Sequence, residues 1–130
     1  MKVGVLALQG DVREHMSSLI ACGVDPISVR RSSEIDQVDA LVLPGGEATT
    51  IAQLAEVFGI FDQLKKRIEE GMPVYGSCAG MILLADEILD SKVGQKTFGG
   101  LNITVRRNAF GRQVDSFETD IPFHDGSDVL

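Results

Sequence analysis

Cys78, in the run Gly76-Ser77-Cys78-Ala79-Gly80, is the side chain in this sequence best placed to act as a nucleophile. A short apolar run, Pro73-Val74-Tyr75, comes before it, and an apolar helical stretch, Met81-Ile82-Leu83-Leu84-Ala85, follows at once. Strand, tight turn, helix is the layout of a nucleophile elbow, with cysteine where many hydrolases hold serine. Gly76 and Gly80 stand two residues either side of Cys78, where a turn that thrusts one side chain off a sheet edge crowds its neighbours. A thiol at a helix N-terminus meets free N–H groups and the positive end of the helix dipole, which favour the reactive thiolate. A small cysteine simply buried in a glycine-rich turn is the competing reading.

A thiolate of this kind attacks an amide or ester carbonyl, and the oxygen that becomes negative needs fixed N–H donors. The N–H of Ala79, directly after the nucleophile, is one natural donor. Gly45 and Gly46, at the end of another apolar run, offer a second, from Gly46. A base is also needed, usually a histidine. The chain has two, His15 and His124. His15 falls on a predicted helix far in sequence from every strand end, and reads as a surface or helix-packing residue. His124 lies in a polar tail.

These groups need a scaffold, and the hydrophobic pattern predicts one. Val3 to Leu8 is nearly all apolar, as in a parallel strand covered on both faces. Gln9-Gly10-Asp11 breaks it, and Asp11 and Glu14 have the spacing of a capping box for a helix from about Asp11 to Cys22. Further strands are predicted at Pro26–Val29, at Ala40–Leu43 and before the elbow, with a polar connection over Arg30–Gln37. Helices are predicted at Ala48–Phe58, at Ile60–Glu70 and from Ile82 to Leu89 behind Cys78. Leu101–Arg106 alternates like a strand, Arg107–Gln113 is a loop, and Val114–Ile121 could pair with that strand in a small antiparallel unit. Strands alternating with helices imply an α/β fold, a doubly wound, mostly parallel sheet flanked by helices in three layers, flavodoxin-like. In such sheets ligands bind beyond the carboxyl ends of the strands, where Gln9-Gly10, Gly45-Gly46-Glu47 and Cys78 would converge.

Composition narrows the class. The chain has 130 residues, 44% of them hydrophobic, enough for one domain with a real core. Its two cysteines, Cys22 and Cys78, form neither a disulfide framework nor a zinc pattern, which suits a reducing cytoplasm. Cys22 reads as core packing near a helix end. Neither metal nor cofactor is expected. A net charge of −7 argues against nonspecific nucleic-acid binding, and the apolar start is too short for a signal peptide or membrane span.

Four blocks carry a resemblance. They are Gly4 to His15, Leu43 to Thr50, Gly76 to Gly80 and Arg107 to Glu118, in that order along the chain. Together they resemble the glutaminase subunits of pyridoxal 5'-phosphate synthase, which are class I (triad) glutamine amidotransferases, from Lys2 to about Ile121. The elbow marks only the wider superfamily. The Gln-Gly-Asp-Val-Arg-Glu-His and Arg-Asn-Ala-Phe-Gly-Arg-Gln blocks are much narrower. The resemblance implies hydrolysis of L-glutamine to glutamate and ammonia. It also implies a (β/α)8-barrel synthase partner that uses the ammonia to make pyridoxal 5'-phosphate. By position, Cys78 matches the nucleophile, Gly46, Glu47 and Ala48 the glutamine-binding loop, and Arg107 the arginine that helps bind glutamine. Gln9 and Gly10 match the strand-end loop near the oxyanion hole and the synthase interface, and the face bearing Arg13 and Glu14 would meet the synthase. Arg107 suits the substrate carboxylate and Glu47 its ammonium.

The chain departs from the family twice. Ala48 stands where serine is common, which removes a hydroxyl. The family's catalytic histidine and glutamate come from a His-Pro-Glu segment in the last third of a longer chain, and this sequence stops at Leu130. It is therefore expected to be one amidotransferase domain over residues 1–130, truncated at its C-terminus, with little activity alone and an unpaired apolar sheet edge. Two other readings fit the same residues: a DJ-1/PfpI-like cysteine hydrolase or chaperone, and a non-catalytic remnant that binds the synthase.

Overall fold

The computed structural model describes residues 1–91, 93–107 and 118–120. Four parallel strands form the main sheet: β1 (Val3–Leu6), β2 (Pro26–Val29), β3 (Ala40–Leu43) and β4 (Val74–Gly76), in the order β2-β1-β3-β4. Helices α1 (Val12–Ala21), α2 (Ser32–Ile35), α3 (Ala48–Val57), α4 (Phe61–Glu69) and α5 (Ala79–Leu84) connect and cover them. A second, two-stranded parallel sheet pairs β5 (Ala85–Leu89) with β6 (Leu101–Arg106).

Side chains alternate across the main sheet, as the period of a strand requires. Val3, Val5 and Val42 face α1 and pack with Val12, Met16 and Leu19. Leu6, Leu41 and Leu43 face the other way, into the larger core with Ile51, Ala55, Leu64, Ile68 and Leu83. All four residues of β1 are buried, which is why its sequence is a continuous apolar run. The expected doubly wound, three-layer α/β architecture is what forms. Its switch point lies between β1 and β3, whose carboxyl ends point to the same side.

Two expectations fail, each for a physical reason, and a third lies almost wholly outside the described residues. Arg30–Gln37 contains the short helix α2, held by the Glu34 carboxylate, which accepts from the N–H groups of Arg30 (2.6 Å) and Arg31 (2.9 Å). The Arg67 guanidinium adds donors to the carbonyls of Ile35 (3.0 Å) and Val38 (2.8 Å). The helix behind Cys78 ends at Leu84 rather than Leu89, because Ala85 turns extended (φ −63°, ψ 140°) and the chain enters β5. Ladder pairing with β6 overrides the helix preference of this stretch, helped by Asp86, which accepts from the Gly100 N–H at 3.1 Å. The described partner of β6 is thus β5, in parallel. The antiparallel partner expected at Val114–Ile121 lies almost wholly outside the described residues, and 118–120 carry no regular structure. Among the described residues β4 pairs with β3 alone, and Tyr75 on it is 61% exposed. No helix among the described residues is long and apolar enough to cross a membrane.

Candidate active site

The elbow is built as its glycines require. Cys78 has φ 49° and ψ −109°, in the left-handed half of the map that a side chain avoids unless its surroundings fix it. The surroundings are tight. A Cβ on Gly76 would lie 2.5 Å from the Gly80 carbonyl carbon, and one on Gly80 would lie 2.1 Å from the Leu43 carbonyl oxygen. Glycine alone lets α5 start this close to β3 and β4. The Ser77 N–H donates to Leu43 O (3.2 Å) and the Gly80 N–H to Ser77 O (2.8 Å), closing the turn. Cys78 is exposed, so the simple buried-cysteine reading fails. Ala79 is the first residue of α5, so its N–H cannot have an acceptor within the helix.

The Gly45 loop stands opposite. A Cβ on Gly45 would sit 3.6 Å from the Cys78 Cβ, so the two segments face each other across a space that a side chain would fill. Asp11 N donates to the Gly45 carbonyl at 3.0 Å, latching the end of β1 to the end of β3. The Gly45–Gly46 peptide is trans, so the Gly46 N–H points away from Asp11. Gln9 holds the same loop through its amide oxygen, which accepts the Glu47 N–H at 3.0 Å. Gly10 lies so close that a Cβ there would be 1.8 Å from Gly45 O. Asp11 occupies the N-cap of α1, but its side chain makes no capping bond, contrary to the capping-box expectation. It turns instead toward Gly45, where a Cβ would be 2.9 Å from its Oδ2.

Glu47 both caps a helix and makes an ion pair. Its carboxylate accepts from the N–H groups of Thr49 (3.2 Å) and Thr50 (2.8 Å) and from the Thr50 hydroxyl (2.9 Å), capping α3. Burial raises its pKa, but the hydrogen bonds from Thr50 and Thr49 outweigh burial and lower it from 4.5 to about 2. Oε1 also lies 3.5 Å from Nη2 of Arg107, whose side chain is 16% exposed. The two residues expected to grip the two ends of an amino acid are thus neighbours. Ala48 is the first residue of α3 and is buried.

Sequence reasoning misplaced two residues and missed two more. His15 is half-buried, and its Nε2 shares a 3.0 Å hydrogen bond with Ser77 Oγ, the residue before the nucleophile. Its ring also meets Tyr75 edge-on at 6.3 Å. It packs a helix as expected, but against the elbow, 62 residues away in sequence. Cys22 is exposed, lining a cavity of about 390 Å³ with His15, Leu19 and Tyr75, instead of packing in the core. Thr49 and Gln95 contact Arg107 and carried no signal as single polar residues in a helix and a loop. His124 lies outside the described residues.

Comparison with known proteins gives the chain's family. The family model described as the SNO glutamine amidotransferase family matches residues 5–129. A pyridoxal 5'-phosphate synthase subunit PdxT of Nocardia farcinica is 60% identical over 121 residues, covering 93% of this chain and 54% of that protein. One from Kineococcus radiotolerans is 63% identical over 120 residues, covering 92% of this chain and 58% of that protein. A crystal structure of a glutamine amidotransferase superposes with a TM-score of 0.80 at 50% identity, covering 91% of this chain and 62% of the other. The chain spans a little over half the length of these relatives. With the elbow, the facing glycine loop and the matched family model together, the chain belongs to the SNO glutamine amidotransferase family.

Proposed function

We propose that the protein hydrolyses L-glutamine to L-glutamate and ammonia through Cys78. The observation that carries this is an exposed thiol on a strained elbow, facing the Gly45 loop, where Glu47 forms an ion pair with Arg107 from the end of β6. The Cys78 thiolate adds to the side-chain amide carbon, and the oxygen becomes negative between the N–H groups of Ala79 and Gly46. The carbonyl then re-forms as the carbon–nitrogen bond breaks, the nitrogen leaving as ammonia with the proton that the Cys78 thiol gave up. Water cleaves the resulting thioester, releasing glutamate and restoring the thiol. Arg107 takes the substrate α-carboxylate and Glu47 its α-ammonium, each by charge-assisted hydrogen bonds. A carboxylate with a pKa of about 2 keeps its charge at any working pH, as that role needs.

The ammonia would pass to a (β/α)8-barrel synthase that makes pyridoxal 5'-phosphate, working in the cytoplasm. The names of the relatives support a synthase complex, and the Gln9-Gly10 turn, packed on the Gly45 loop, is the part of the site suited to feel a docked partner. An assay of L-glutamine, other amides and aldehydes, with and without the synthase subunit, tests the reading. It predicts glutamate from L-glutamine, lost in Cys78→Ser. Turnover of aldehydes with L-glutamine untouched would favour the DJ-1/PfpI-like alternative.

A further inference from the structure

We propose that Gln95 and Thr49 are positioning residues that fix the Arg107 guanidinium so that it presents one edge to the substrate carboxylate. The proposal rests on the glutamine reading above and adds to it two residues that reading does not use.

Arginine offers five N–H donors in a rigid plane. Here Nη1 donates to Thr49 Oγ1 at 3.1 Å and to Gln95 Oε1. The Thr49 hydroxyl, accepting from Arg107, donates its own hydrogen bond to Gln95 Oε1 at 2.6 Å. The Gln95 orientation follows from this triangle, since its amide oxygen meets two donors while its NH2 faces Lys96 O at 3.5 Å. Nη1 is thus held by two protein acceptors at one end of the guanidinium plane. Among the described residues the donors on Nη2 and Nε remain, with Nη2 3.5 Å from Glu47. That edge is the fork that matches a carboxylate in two parallel bonds, beside the carboxylate that would hold the ammonium of the same amino acid.

Gln95 lies in the connection between β5 and β6, yet that connection is pinned directly after it. Next along the chain, Lys96 pairs with Glu56 on α3 and stands 5.6 Å over the Phe61 ring. Phe98 is 1% exposed, stacks on Phe61 at 4.8 Å and donates its N–H to Leu83 O at 2.7 Å. Thr49 is on the first turn of α3, which Glu47 caps. The two groups that hold Nη1 are therefore fixed to the core, and a long flexible side chain becomes a set fork. A fixed fork loses less conformational freedom when the ligand arrives, which is gained as affinity.

The test uses a diazo-ketone analogue of L-glutamine, which alkylates Cys78 after binding, and iodoacetamide, which carries no α-carboxylate. In Gln95→Met and in Thr49→Val, which keep side-chain volume and remove the acceptor, the half-saturating analogue concentration rises roughly tenfold, as for one lost hydrogen bond to a charged group. The limiting inactivation rate and the iodoacetamide rate stay the same. Thr49→Ser restores tight binding, and unchanged melting curves exclude a folding defect. An unchanged half-saturation in both variants, with L-glutamine still protecting the parent, overturns the proposal alone. A parent whose inactivation does not saturate and is not slowed by L-glutamine overturns the glutamine reading beneath it.

Discussion

Among single residues, Glu47 makes the sharpest case because one carboxylate serves two ends. Its pKa is lower folded than unfolded, so its contribution to stability is fully present above the ordinary value of 4.5 and fades as pH falls through about 2. Thermal melts of the parent should therefore lose stability between those values, and Glu47→Ala should flatten that loss while removing about 1 kcal/mol, the usual worth of a helix cap. Equal pH slopes in parent and variant would contradict the capping role. Ser77 offers a second check. Ser77→Ala leaves the half-buried His15 ring nitrogen without its partner, and should cost about 1 kcal/mol by urea unfolding.

Elements carry the site by meeting at close backbone approaches. Gly80 is the clearest: with the Leu43 carbonyl oxygen 2.1 Å from any Cβ there, Gly80→Ala must push α5 off β3. It should destabilise by about 3 kcal/mol and reduce the reactivity of Cys78 together with it. Phe98→Ala, which empties a core site against Phe61, should cost about 3–5 kcal/mol. What the sequence revealed and what it hid divide along the same line. Buried parallel strands, the elbow and its glycines were legible because each imposes a local pattern, an apolar run or a small residue at fixed spacing. The strand at Ala85–Leu89 was not, because Ala, Leu, Ile and Glu read as helix until β6 supplies a partner. The Arg107 cradle and the His15–Ser77 bond join residues 12 to 62 positions apart, and one sequence holds no local trace of such pairs.

At the scale of the molecule, the site exists because three strand ends are brought to one side of one sheet, and the core that holds them also seats Phe98 from the connection between the two strands of the second sheet. The two sheets should unfold together. Tyr75 is the one tyrosine in a chain without tryptophan and stands beside the elbow, so its fluorescence reports on the site. Its denaturation curve should coincide with that from far-ultraviolet circular dichroism, and two separated transitions would show that the site's edge melts independently. The central claim is that one of two exposed thiols is a glutamine-directed nucleophile. Treating the protein with the diazo-ketone analogue of L-glutamine and mapping the adduct by peptide mass spectrometry tests it directly, with Cys22 as the internal control. The account predicts an adduct on Cys78 alone, suppressed by free L-glutamine. Equal labelling of Cys22 and Cys78, indifferent to L-glutamine, would contradict it.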